Sequence, residues 1–208
     1  MNGTRPHGGY DDGYQACSCF WGELPGSLVR ALLKEQPSCE GLAVLDLGCG
    51  EGKNAAAFAR AGATVDAVDC SAQAIANGKR AFPNLNINWI VADAVNYLSL
   101  SRSYDIVVMY GLLHCLSSQL EISEMIDSAI SKTVAGGVHF VVAFNNGPHD
   151  LSAHPNLQPT LLAHEFYLDH YSRQRILVAE SAIINEVHPN NNILHFHSIT
   201  RLTARIVR

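Results

Sequence analysis

Unbroken apolar runs separated by amphipathic stretches fill the first two thirds of this chain, and that pattern leaves few folds open. AVLDLGC (43–49), TVDAVDC (64–70), INWIVADAV (87–95), YDIVVMYGLLHCL (104–116) and GVHFVVAFN (137–145) read as strands. A strand with one face in water alternates apolar and polar residues; these do not, so both faces are covered, as in a parallel sheet. Between them, NAAAFARAG (54–62) reads as a helix closed by Gly62. Ser71 reads as the N-cap of a helix that ends before Pro83, and a third helix is expected near 119–134. Strand–helix alternation of this kind builds a doubly wound α/β sheet. After residue 160 the order changes to a helix near 161–173 and two long runs, 175–187 and 193–207. HPNNN joins those runs, so the sheet is expected to end in an antiparallel hairpin turning at Pro189 and Asn190 to Asn192.

The 208 residues suffice for one domain with a sizeable core. A net charge of −5 argues against nucleic acid or an anionic membrane as the main partner, because such surfaces are met by clustered Lys and Arg. The six cysteines show no framework spacing and no leader precedes them, so reduced thiols in a cytoplasm are expected. No apolar run approaches the roughly 20 residues of a membrane span.

LDLGCGEGKN lies between the first strand and the first helix. Gly48, Gly50 and Gly52 let the backbone turn sharply and let a ligand approach it closely. Asp46 precedes the loop, Asp69 ends the second strand, and Asp93 lies in VADA at the end of the third. A carboxylate at the second position can accept both hydroxyls of a ribose; one at the third can accept from an adenine amino group. Three acids at successive strand ends around a glycine loop describe an adenosine site at the carboxyl edge of the sheet.

LDLGCGEGKN, VDAVDCS, VADA and YGLLHCL together resemble the S-adenosylmethionine-binding core of class I methyltransferases, over roughly residues 40 to 145. The resemblance implies a Rossmann-like seven-stranded sheet, mostly parallel with a reversed last strand. It implies that Asp46 and the Gly48–Gly52 loop hold the methionine part of S-adenosyl-L-methionine, Asp69 the ribose, and Asp93 with Ala94 the adenine, with Tyr110 to His114 on the reacting side. Cys49, Asn54 and Cys70 are counted among the residues that bind the cofactor. YDDGYQACSCFWGELPGSLV (10–29) and the His-rich tail are similar to the tellurite-resistance methyltransferase subfamily. That similarity divides the domain into a lid (1–38), a cofactor core (39–145) and a substrate-side segment with the terminal hairpin (146–208).

The acceptor is expected to be a small molecule: a soft nucleophile of the tellurite or thiol type, or a natural-product intermediate. Two other uses remain open. The cofactor's own α-amine could attack its γ-carbon, giving azetidine-2-carboxylate and methylthioadenosine, or the chain could bind the cofactor as a sensor or partner subunit. The expected assembly is a monomer or homodimer.

Tyr14 and Trp21, with Tyr10 and Phe20, suit a lid whose faces attract a sulfonium, or equally a segment that docks onto the core. His114 is the candidate base, or a satisfied core histidine; His139 is expected to be structural. Asn145 and Asn146 are expected to follow the fifth strand at the carboxyl edge, where they would bind substrate or the methionine end, Asn145 being a catalytic candidate. In the tail, His195, His197, Ile199 and Arg201 should share one strand face. His188 and His195 are candidates for a substrate-side role. No metal is assigned, because methyl transfer from a sulfonium needs none and no carboxylate accompanies these histidines in the local sequence.

Overall fold

The computed structural model describes residues 10–189 and 191–207, so Asn190 of the expected turn lies outside the described residues. Two helices come first, α1 (Asp11–Ala16) and α2 (Ser27–Glu35). The alternating core comes next: β1 (Ala43–Leu47), α3 (Lys53–Arg60), β2 (Thr64–Asp69), α4 (Ala72–Ala81), β3 (Ile87–Val91), α5 (Ala94–Leu100) and β4 (Tyr104–Tyr110). A 3₁₀ turn (Leu113–Cys115), α6 (Gln119–Ser131), β5 (Thr133–His149), α7 (His164–His170), β6 (Arg175–Glu186) and β7 (His195–Arg205) complete the chain.

The seven strands lie in the order β3-β2-β1-β4-β5-β7-β6, with parallel pairing as far as β5 and β7 antiparallel to both of its neighbours. This is the α/β architecture expected from the sequence, hairpin included. Because β2 and β4 flank β1 on opposite sides, the sheet has its switch point there, where open α/β folds leave a crevice at the carboxyl ends of strands. Both faces of the central strands are buried: Leu45, Val107, Val141 and Leu202 fall in one apolar cluster, Val44, Val65, Phe58 and Phe140 in the other. No helix among the described residues is long and apolar enough to cross a membrane. All six cysteines are free thiols.

Four boundaries differ from the sequence expectation. The run 87–95 is strand only to Val91; Asp93 then caps α5 by accepting from the Asn96 amide at 3.0 Å. A side-chain acceptor at that position starts a helix however apolar the residues after it are. The run 104–116 stops as strand at Tyr110, since Gly111 turns the chain with φ +89°, so His114 sits in the 3₁₀ turn and not on the strand. β5 continues to His149, placing Asn145 and Asn146 within it, because its end keeps a partner in β7: His149 pairs with His197. The helix expected over 161–173 is α7, which spans only His164–His170.

Candidate active site

The glycine loop agrees with the sequence expectation in its backbone: φ is +66° at Gly48, +55° at Gly50 and +80° at Gly52, all in the left-handed region open to glycine. Carboxylates hold it from below. Asp69 accepts from the Gly50 amide at 2.7 Å and the Ser71 amide at 2.8 Å, tying the loop to β2 and α4. Asp46 accepts from the Ala55 amide at 3.0 Å, so this buried carboxyl joins β1 to α3. Burial raises its pKa to about 7, against the lowering effect of that amide. Cys49 bonds through its amide to the Val68 carbonyl, Cys70 is exposed, and Ala94 is buried at the start of α5.

The N-terminal segment closes on this loop. A Cβ built on Gly50 would stand 2.8 Å from the Tyr14 hydroxyl and 3.8 Å from Trp21, and one on Gly26 would enter the Tyr110 ring. The Trp21 indole N–H donates to the Tyr14 hydroxyl at 3.2 Å. Asn54, expected beside the cofactor, accepts from the Gly26 amide at 2.8 Å and so anchors the entry to α2. Lys53 donates to the Trp21 carbonyl at 3.2 Å.

The main fastening is a residue the sequence reading passed over. Glu51, buried in the glycine loop, accepts from the amides of Cys19 at 2.9 Å and Phe20 at 2.5 Å, and from the Asn77 side chain at 2.8 Å. Asn77 also donates to the Tyr14 carbonyl at 2.8 Å. The only local signal was an acid inside a loop of glycines, since its partners lie across the fold.

On the reacting side, His114 is buried against Phe144, ring centroids 4.0 Å apart and planes nearly parallel. Its Nδ1 accepts from the Phe144 amide at 3.2 Å, which puts the ring proton on Nε2, facing the Tyr10 hydroxyl at 3.5 Å. Burial lowers its pKa to about 3, with His197 and other histidines adding to the effect. Both nitrogens are occupied, so the geometry matches the core reading of this residue and leaves no lone pair for a base. Asn145 is likewise committed. Its side chain donates to Ser181 and Thr200 and accepts from the Gly147 amide, joining β5 to β6 and β7. Tyr110 is half-buried beneath Gly26. His139 is structural as expected, bound by Thr133 and Tyr171.

His188 and His195 do come together, and His154, which the sequence reading missed, lies between them. Its Nε2 is 3.1 Å from Nε2 of each. Phe20 stacks on His188 at 4.8 Å, Trp21 meets His188 edge-on at 4.8 Å, and Tyr10 meets His154 edge-on at 5.7 Å. The aromatic segment therefore docks onto histidines as well as onto the loop. Glu186, two residues before His188, brings a carboxylate oxygen to 3.9 Å from its Nε2, correcting the expectation that no carboxylate accompanies the tail. His197 shares a face with His195, ring centroids 4.9 Å apart. The signal for His154 was a repeat: His-Pro-Asn occurs at 154–156 and at 188–190.

A parallel sheet with its switch point at β1, a glycine loop after β1, acids at the ends of β2 and β3 and a reversed last strand make up a fold like that of the class I S-adenosylmethionine-dependent methyltransferases. Residues 44–137 match the family model described as methyltransferase domain. Curated proteins of Mycobacterium bovis and Mycobacterium tuberculosis, each named an uncharacterized methyltransferase, are 38% identical over 71 residues, 34% of this chain. The match spans 36% of those relatives' length. Among solved structures, TehB from Haemophilus influenzae superposes with a TM-score of 0.71 at 20% identity, covering 87% of this chain and 62% of that one. A structure described as conversion of a disulfide bond into a thioacetal group during echinomycin biosynthesis gives 0.70 at 21%, covering 97% and 93%. At these identities the likeness is one of fold.

Proposed function

We propose that this chain transfers the methyl group of S-adenosyl-L-methionine to a small-molecule acceptor that arrives already nucleophilic, such as a thiolate or a chalcogen oxyanion. The observation that carries this reading is the glycine loop clasped between Asp69 below and the Tyr14–Trp21 segment above. The residues present fit the cofactor: Asp69 and Asp93 would accept from ribose and adenine, the loop admits close approach, and aromatic faces suit a sulfonium. When bound, the cofactor supplies an activated methyl group on a sulfonium, so the protein has only to align the partners and keep water out.

The chain's residues serve those two tasks. Glu51, Asn54 and Lys53 hold the lid against the loop, and Phe20 and Trp21 exclude solvent. His114 and Asn145 are consumed by structural hydrogen bonds, so neither is placed to take a proton from an alcohol or amine. That favours soft acceptors over hydroxyls and amines, which need a base near the methyl group.

Purified protein incubated with S-adenosylmethionine, alone and with thiol, selenite and tellurite acceptors, tests the reading by mass spectrometry of products. S-adenosylhomocysteine that forms only with an acceptor is the expected result. Methylthioadenosine without an acceptor would replace methyl transfer by internal cyclisation, and binding with neither product would leave a sensor.

A further inference from the structure

We infer that His154, His188 and His195 form a binding site for one divalent first-row transition-metal ion, beneath the aromatic lid. The three rings are almost wholly buried, 6%, 3% and 1% exposed, and their ligand atoms lie within 4.8 Å of one another. Two of the three nitrogen–nitrogen separations are 3.1 Å. Imidazole nitrogens at about 2.0–2.1 Å from a common ion stand roughly 3.0–3.4 Å apart, depending on coordination number.

Proton bookkeeping points the same way. The Nδ1 of His195 lies 2.8 Å from the Ile193 carbonyl, an acceptor only, so the ring proton of neutral His195 is on Nδ1 and its Nε2 carries a lone pair. His154 Nε2 must then donate to His195, and the same single N–H would have to serve His188 as well. One in-plane proton cannot point along two directions, so the trio is poorly satisfied by hydrogen bonds alone. A cation between the three nitrogens accepts every lone pair. The carbonyl behind His195 is the kind of partner that fixes a metal-ligating imidazole.

The backbone presents the donors by a repeated device. His154 and His188 each precede a proline and each open a turn: the His154 carbonyl accepts from the Leu157 amide at 3.0 Å, the His188 carbonyl from the Asn191 amide at 3.3 Å. β7 supplies His195 from the other side. Around them, Glu186 and His197 form a second close set with His195, and the buried Nε2 of His197 has no hydrogen-bond partner among the described residues. Neutral imidazoles with one carboxylate nearby select a borderline ion such as zinc, iron(II) or nickel(II) over calcium or magnesium.

Trp21 neighbours both this site and Gly50, and the site lies beside a cavity of about 280 Å³ lined in part by Tyr10, Phe20, His154 and Asn191.

Zinc chloride is the probe. The full chain, stripped with chelator and dialysed, should bind one zinc per chain by calorimetry and by elemental analysis. Zinc-edge X-ray absorption should show histidine nitrogens at about 2.0–2.1 Å with no sulfur scatterer. His154→Ala and His188→Ala should each weaken binding by about 100-fold or more, and His170→Ala, on α7, should not. The absorption spectrum of the wild-type protein decides the matter even if a variant fails to fold. Substoichiometric zinc, sulfur in the first shell, or unchanged affinity in a folded His154→Ala variant would overturn the site. Because no step of the assay uses turnover, its outcome is separate from that of the methyl-transfer reading.

Discussion

Glu51→Ala should release the N-terminal segment from the glycine loop while leaving the sheet folded. The carboxylate accepts three hydrogen bonds, two from lid amides and one from Asn77, and Asn77 holds the Tyr14 carbonyl in turn. Hydrogen bonds to a charged group are worth about 1.5–3 kcal/mol each, and losing the acceptor also strands two amides and an amide side chain. The aromatic contacts of Phe20 and Trp21 with the histidines offset part of that loss. The expected result is rapid proteolytic cleavage between residues 10 and 26, near-native circular dichroism, and a cofactor affinity reduced by about tenfold or more, equivalent to roughly 1.4 kcal/mol. Glu51→Gln should be intermediate, since the amide oxygen keeps an acceptor but its NH₂ opposes an amide donor. Proteolysis and affinity both unchanged in Glu51→Ala would mean that the lid is held by its aromatic contacts alone.

Acid should unfold this protein over a pH range set by buried histidines. His114 and His139 are both pushed down by burial from 6.5 to about 3. At these two rings the unfolded chain binds more protons than the folded one between pH 3 and 6.5, so their contribution is lost as pH falls through 6.5 toward 3; Asp46, raised by burial to about 7, works in the opposite direction and offsets part of that loss. Each of the two rings costs about 2 kcal/mol at pH 5 relative to pH 8, a large fraction of a typical domain's stability. Urea midpoints measured from pH 8 to pH 5 should fall steadily, and His139→Gln should flatten the slope. A midpoint independent of pH across that range would contradict the burial of both rings as neutral species.

The parallel core was legible in the sequence because strands covered on both faces write themselves as unbroken apolar runs, and the left-handed glycines between β1 and α3 mark the loop. The hairpin at the end was legible from HPNNN between two long runs. Boundaries were less so: the side chain of Asp93 turned the last part of one apolar run into α5, and Gly111 detached His114 from β4. The acids around the loop were legible from their strand-end positions, whereas the backbone amides that Asp46, Asp69 and Asn54 hold are not revealed by sequence spacing. Glu51 and His154 were missed for a shared physical reason. Each works through contacts between segments far apart in the chain, and a buried charge or a convergent imidazole has no local periodicity to betray it.

Calorimetric titration of S-adenosyl-L-methionine into the purified chain, repeated with Asp69→Ala, tests the central claim most directly. The loop and strand-end acids predict one cofactor per chain in the wild-type protein, and in the variant a loss of up to a few kcal/mol, the scale of charged hydrogen bonds. Absence of binding by the wild-type chain, or equal affinity in the two proteins, would contradict the assignment of this crevice as the cofactor site.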